Sequence, residues 1–157
     1  MTQATDIQAP ESQDPKTIVM QAWQAFASRD PARIAALFHE DAEWIAPEGN
    51  ATAVALGYTS GMPDRASIVR FVTEEFGRLF VDEVSSEFTG MFADGGTVVV
   101  EQRLQARLVN DRRYDNRYCF VFVVDDGRIR QVREYMDTLG GREMVFGPGE
   151  PARRLVA

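Results

Sequence analysis

A chain of 157 residues, 45% hydrophobic and 26% charged, suits one domain with a single core that needs neither disulfides nor metals to hold it, and excludes disordered and collagen-like classes. Lys+Arg 17 against Asp+Glu 24 gives a net charge of -7, a field that repels nucleic acid and anionic lipid, so no nucleic acid and no membrane is expected as a partner. With one cysteine, Cys119, and one histidine, His39, no internal disulfide and no structural zinc site can be built, and with neither a transmembrane-length apolar run nor a secretion signal the expected location is cytoplasmic.

Residues 1–14 are polar without an apolar period and read as a disordered leader. Asp14-Pro15 starts a helix whose Ile18, Val19, Ala22, Trp23 and Phe26 recur at helical spacing, and Asp30-Pro31 starts a second with Ile34, Leu37 and Phe38 as its buried side. Ala42 to Ala46 is a short strand around Trp44, ended by Pro47. The stretch Glu48 to Pro63 is long for a connection and is either a lid or simply mobile. Asp64 caps a third helix running to about Phe80, with Ile68, Val69, Val72, Phe76 and Leu79 on one side.

Beyond Val81 the period changes from helical to alternating. Strands are expected over Val84–Phe92, Thr97–Leu108, Asn116–Val124 and Arg128–Met136, with turns at Asp94-Gly95-Gly96, Asn110–Asp115 and Asp125-Asp126-Gly127. Asp137 caps a last short helix through Met144, and residues 147–157 form a flexible tail. Helices first and an antiparallel meander after make an α+β fold in one domain, residues 15–146.

This layout, with Leu37-Phe38-His39-Glu40-Asp41-Ala42-Glu43-Trp44, Tyr118 to Phe122, and Asp126-Gly127-Arg128-Ile129 leading to Glu134-Tyr135-Met136-Asp137, resembles the nuclear transport factor 2-like superfamily, in particular its SnoaL-like and ketosteroid isomerase-like members. The resemblance implies a curved sheet wrapped as a cone-shaped barrel around the N-terminal helices, enclosing a pocket lined by inward strand positions. It leaves the reaction open, since such folds host isomerases, cyclases, dehydratases, hydrolases and proteins with no chemistry.

Which face of Thr97–Leu108 points inward admits two readings. Periodicity separates Val98, Val100, Leu104, Ala106 and Leu108 from Glu101, Arg103, Gln105 and Arg107, with the apolar set as core. Similarity to limonene epoxide hydrolases implies the opposite: Arg103, Gln105 and Glu134 would line the pocket, and the apolar set would be covered by a second subunit, giving a homodimer through the outer sheet face. The chain departs from that pattern in having Gln105 in place of an acid and Ala46 in place of an Asn.

On the second reading Glu134 is the expected acid/base and Arg103 orients it. Apolar surroundings raise the carboxyl's pKa and a nearby Arg lowers it, so a close Arg103–Glu134 pair keeps the carboxylate ionised as a base and a broken pair makes the acid form available. Trp44, Gln105, Asn116, Tyr118 and Phe120 are the expected substrate-binding residues, the Tyr and Asn holding a carbonyl, hydroxyl or epoxide in an apolar pocket. No glycine-rich phosphate loop, metal-ligand spacing or Ser/His/Asp set is present, so no cofactor and no metal is expected. The expected function is cofactor-independent acid/base catalysis on an apolar oxygenated compound; a non-catalytic ligand-binding or dimerisation module is the alternative.

Overall fold

The computed structural model describes residues 13–157; most of the polar leader, residues 1–12, lies outside the described residues. Helix α1, Pro15–Ser28, begins where Asp14 accepts a hydrogen bond from the Lys16 amide, and α2, Pro31–Ala36, where Asp30 accepts from the Ala32 and Arg33 amides. In both, proline occupies the first helical position, where its missing N–H has no helical partner to lose.

Strand β1, Phe38–Ile45, starts four residues earlier than expected. Phe38 is not the last residue of a helix face: it pairs in parallel with Ile129, and this distant ladder overrides the local helical spacing. The expected loop Glu48–Pro63 contains helix α3, Ala51–Leu56, and strand β2, Gly61–Met62, which pairs with Trp44 and Ile45. Asn50 accepts the Ala53 amide at 3.0 Å, and Ala53, Ala55 and Leu56 are buried, so this stretch is packed secondary structure.

The third expected helix is continuous but not uniform. Helix α4, Arg65–Arg70, passes through a π-helical segment, Phe71–Glu75, into α5, Phe76–Leu79. Asp64 and Ser67 form a reciprocal capping box at its start.

Strand β3, Phe80–Asp94, is followed by β4, Thr97–Leu108, β5, Arg113–Asp125, and β6, Arg128–Met136, before helix α6, Thr138–Phe146, capped by Asp137. The six strands form one open sheet in the order β2-β1-β6-β5-β4-β3, and the last four are an antiparallel meander. The β5–β6 hairpin turns through Asp126 and Gly127, both at positive φ (47° and 73°), the geometry that an Asp-Gly pair tolerates best. Three register shifts between β3 and β4 bend the long edge strand and curve the sheet.

The curved sheet wraps the N-terminal helices in an α+β cone. Val98, Val100, Leu104, Ala106 and Leu108 of β4 are buried beside Phe120, Phe122 and Val124 of β5 and Val132 of β6. These contribute to the core with Ile18, Val19 and Ala22 of α1, each large side chain stabilising the fold by about 1.5–3 kcal/mol. Residues 147–157, read as a flexible tail, carry no helix or strand, and their far end lies on the body: the Leu155 amide donates to the Ala55 carbonyl at 2.8 Å, and Leu155 and Val156 pack against the core. Among the described residues, no helix is long and apolar enough to cross a membrane.

Candidate functional site

On β6, the residue directly across from Phe120 of β5 is Glu134, so its side chain shares the inner face with Phe120, Phe122 and Val132. Glu134 as a whole residue is half-buried, while its carboxyl group is enclosed. Trp44 reaches it from β1, one strand over, and its indole Nε1 donates to Glu134 Oε2 at 2.7 Å. Burial drives the Glu134 pKa from an ordinary 4.5 to about 7, against the single opposing effect of the Trp44 bond. A carboxyl so placed exists in both protonation states at neutral pH and can give or take a proton.

Beside it lies a phenolic network. Tyr114 and Tyr118, two positions on either side of Asn116 on β5, point inward, their hydroxyls 2.5 Å apart. Asn116, buried, donates from Nδ2 to the Tyr114 hydroxyl and to the Asp137 carbonyl, both at 3.1 Å, while its Oδ1 accepts the Arg117 amide. Burial raises the pKa of both phenols, Tyr118 the more strongly, and the Glu134 carboxyl adds to the rise at each. Both remain protonated donors. Once Asn116 has donated to Tyr114 and one phenol has donated to the other, one phenolic hydrogen has no acceptor among the described hydrogen bonds.

Aromatic rings fill the space in front of these groups. Phe120 meets Trp23 of α1 edge-on at 5.2 Å, Trp44 edge-on at 5.8 Å, and stacks on Tyr118 at 5.5 Å. Phe26 touches Trp44 at 6.0 Å. Where an open hollow was expected, these rings are in mutual contact.

The structure separates Arg103 from Glu134, and the expectation that both look into one hollow is corrected. Alternation along β4 puts Arg103, Gln105 and Arg107 on the outer face, because the apolar set pairs with the inward positions of β5. Arg103 there makes a bidentate pair with Asp115, Nε to Oδ1 at 2.7 Å and Nη2 to Oδ2 at 2.6 Å, and Gln105 donates to the same carboxylate at 3.2 Å. The pair holds Asp115 below and Arg103 above its ordinary pKa, first through the hydrogen bonds. Thus Trp44, Asn116, Tyr118, Phe120 and Glu134 are brought together; Arg103 and Gln105 are not.

Two inner-face residues escape the sequence reading. Gln102 is buried across from Tyr118 and Phe88, its amide donating to Ser86 Oγ at 2.6 Å. It shares its parity with Val100 and Leu104, the available signal. Tyr114 falls in the expected Asn110–Asp115 turn, which is instead the start of β5.

Two concavities are present. A groove of about 500 Å³ is lined by the outward residues Glu87, Arg103, Arg117 and Tyr135 and also by Gln102 and Tyr118. A second, about 440 Å³, lies between α3 and α6.

A family model described as a SnoaL-like domain matches residues 19–132. No curated protein matches the chain. Among solved structures, an NTF2-like protein of unknown function from Burkholderia pseudomallei superposes with a TM-score of 0.72 at 18% identity, covering 83% of this chain and 96% of that one. An LEH-like epoxide hydrolase from M. tuberculosis gives a TM-score of 0.66 at 21% identity, over 87% and 92% of the two chains. A protein with a ketosteroid isomerase-like fold from Catenulispora acidiphila, in complex with trimethylamine, gives 0.65 at 16% identity, over 92% and 97%. At these identities the likeness is one of fold.

Proposed function

The chain belongs to the SnoaL-like domain family, and on that footing we propose that it binds a small apolar oxygenated molecule in the cone and performs cofactor-independent acid/base chemistry on it, with Glu134 as the proton-transferring group. The reaction classes that such a group serves are isomerisation, cyclisation, dehydration and hydrolysis. The observation that carries this reading is the Glu134 carboxyl on the inner face, bonded among the described residues by Trp44 alone and titrating at about 7. A group with that pKa takes a proton in its ionised form and returns it in its acid form without help from a metal or cofactor.

The neighbouring groups support the same reading. The Tyr114–Tyr118 pair offers a hydrogen-bond donor toward the carbonyl, hydroxyl or epoxide oxygen of the bound molecule, and Asn116 orients that pair. Phe120 and Trp44 supply the apolar wall. Hydrolysis in the manner of the limonene epoxide hydrolases would have to use inward groups, since Arg103 and Gln105 face outward.

The test is a screen of aryl ketones, enols and epoxides for turnover, followed by Glu134→Gln. The variant is expected to lose at least about 100-fold in kcat, and the wild-type rate to change around pH 7. Turnover that survives the substitution removes the assignment.

The ring contacts between Trp23, Phe26, Trp44 and Phe120 favour a second reading, a ligand-binding or dimerisation module without catalysis. It is distinguished by thermal stabilisation with ligand and no product.

The protein is also proposed to form a homodimer through the outer sheet face, in the cytoplasm. The apolar set of β4 no longer argues for that dimer. What supports it is the exposure of Phe92 (60%) and Tyr135 (53%), whose strand positions face outward beside the groove at Arg103 and Arg117. Sedimentation equilibrium decides the oligomeric state and cell fractionation the location.

A further inference from the structure

Trp23 is the third turn of α1 and the one residue of that helix whose ring meets four others: Phe26, Phe88, Phe120 and Phe122, at centroid distances of 5.3, 5.3, 5.2 and 6.1 Å. Its indole Nε1 is buried and has no hydrogen-bond partner among the described residues. A buried donor left without an acceptor costs the fold about 1–3 kcal/mol, a cost that the other interior tryptophan avoids, because Trp44 Nε1 is bonded to Glu134.

A water molecule is a poor remedy at this position. An ordered buried water needs two or more polar partners, and the four rings in contact with Trp23 offer none. An apolar molecule carrying one acceptor oxygen meets both conditions, since its body packs against the rings and its oxygen takes the indole N–H.

Trp23 is half-buried as a residue, and the ring it faces on the edge strand β3, Phe88, is 46% exposed. Phe88 and Trp23 therefore stand between the interior and the solvent.

We propose that Trp23 Nε1 is the ligand-anchoring donor of the cone, and that the protein selects a flat aryl ketone or aryl ether, whose oxygen accepts that N–H while its ring system lies against Phe120. The inference rests on the reading of the cone as a ligand site and adds the class of compound and the residue that recognises it. Phe120 touches both Trp23 and Trp44, so a molecule anchored at Trp23 extends toward Glu134.

The experiment compares two isosteric probes by isothermal titration calorimetry, 2-acetylnaphthalene and 2-isopropenylnaphthalene, in which C=CH2 replaces C=O. The wild type is expected to bind the ketone about five- to tenfold tighter than the alkene. Trp23→Phe is expected to erase the preference, bringing the ratio of ketone to alkene affinity to about one. If Trp23→Phe does not give the wild-type far-UV circular dichroism spectrum and a cooperative thermal melt, 3-benzothienylalanine at position 23, which exchanges N–H for S in a ring of the same size, takes its role. Equal binding of both probes by the wild type, or a ketone preference that survives loss of the N–H, overturns the anchoring role and leaves the ligand site standing. Binding of neither probe overturns both.

Discussion

Replacing Glu134 by Gln isolates the energetic consequence of holding a carboxyl inside the cone. Gln is neutral at every pH and keeps an acceptor for Trp44 Nε1, so the two proteins differ chiefly in a proton. In the unfolded chain the carboxyl titrates at its ordinary 4.5, and in the folded protein at about 7. Below pH 4.5 the group is protonated in both states. As pH rises toward 7 the unfolded state releases the proton first, and stability falls until the folded group has ionised as well. The interval corresponds to roughly 3 kcal/mol, lost between about pH 4.5 and pH 8.

Urea unfolding of both proteins across that range measures this directly. All other titrating groups are common to the pair and cancel in the difference. The stability of Glu134→Gln relative to the wild type should therefore rise by roughly 3 kcal/mol from pH 4.5 to pH 8, with its steepest change below 7. A difference that stays flat within about 0.5 kcal/mol would show that the carboxyl keeps its ordinary pKa, and the acid/base reading of the site would go with it.

Trp44→Phe removes the bond that opposes the upward shift of Glu134, so the same difference curve should extend to higher pH; the loss of the charge-assisted bond should cost about 2 kcal/mol at pH 8 and less at pH 5. Arg103→Gln, on the outer face, should leave ligand affinity and the pH dependence of stability between about pH 5 and pH 8 unchanged, because its effect through Asp115 is confined to lower pH; a curve shifted inside that window would place Arg103 in electrical contact with Glu134. Leu56→Ala should cost about 3 kcal/mol in urea unfolding, because α3 is packed; a loss under about 0.5 kcal/mol would return the segment to a mobile loop.

Much of the fold is legible in the chain because its signals are local. Asp14-Pro15, Asp30-Pro31 and Asp64 mark helix starts through the geometry of a side-chain cap, and Thr97–Leu108 and Arg128–Met136 appear at their observed bounds because a period of two persists along them. Helix α3 does not announce itself: Ala51–Leu56 is too short for a helical period to accumulate between Asn50 and Gly57. Phe38 fits a helical stripe and a strand equally well, and its partner Ile129 is far along the chain.

The site divides in the same way. Alternation sorts β4 into two sets of side chains from the sequence alone, and it marks Asn116, Tyr118 and Phe120 as sharing one face. Taken alone it makes the apolar set the core, and the likeness to limonene epoxide hydrolases implies the reverse, so the sequence leaves two assignments of the faces. Tertiary pairing decides between them: Val98, Val100 and Leu104 stand opposite Phe122, Phe120 and Asn116, which sends Arg103 out to Asp115. The meeting of Trp44 with Glu134 is likewise a property of the folded sheet, because the two residues are 90 positions apart and become neighbours only when β1 lies parallel to β6.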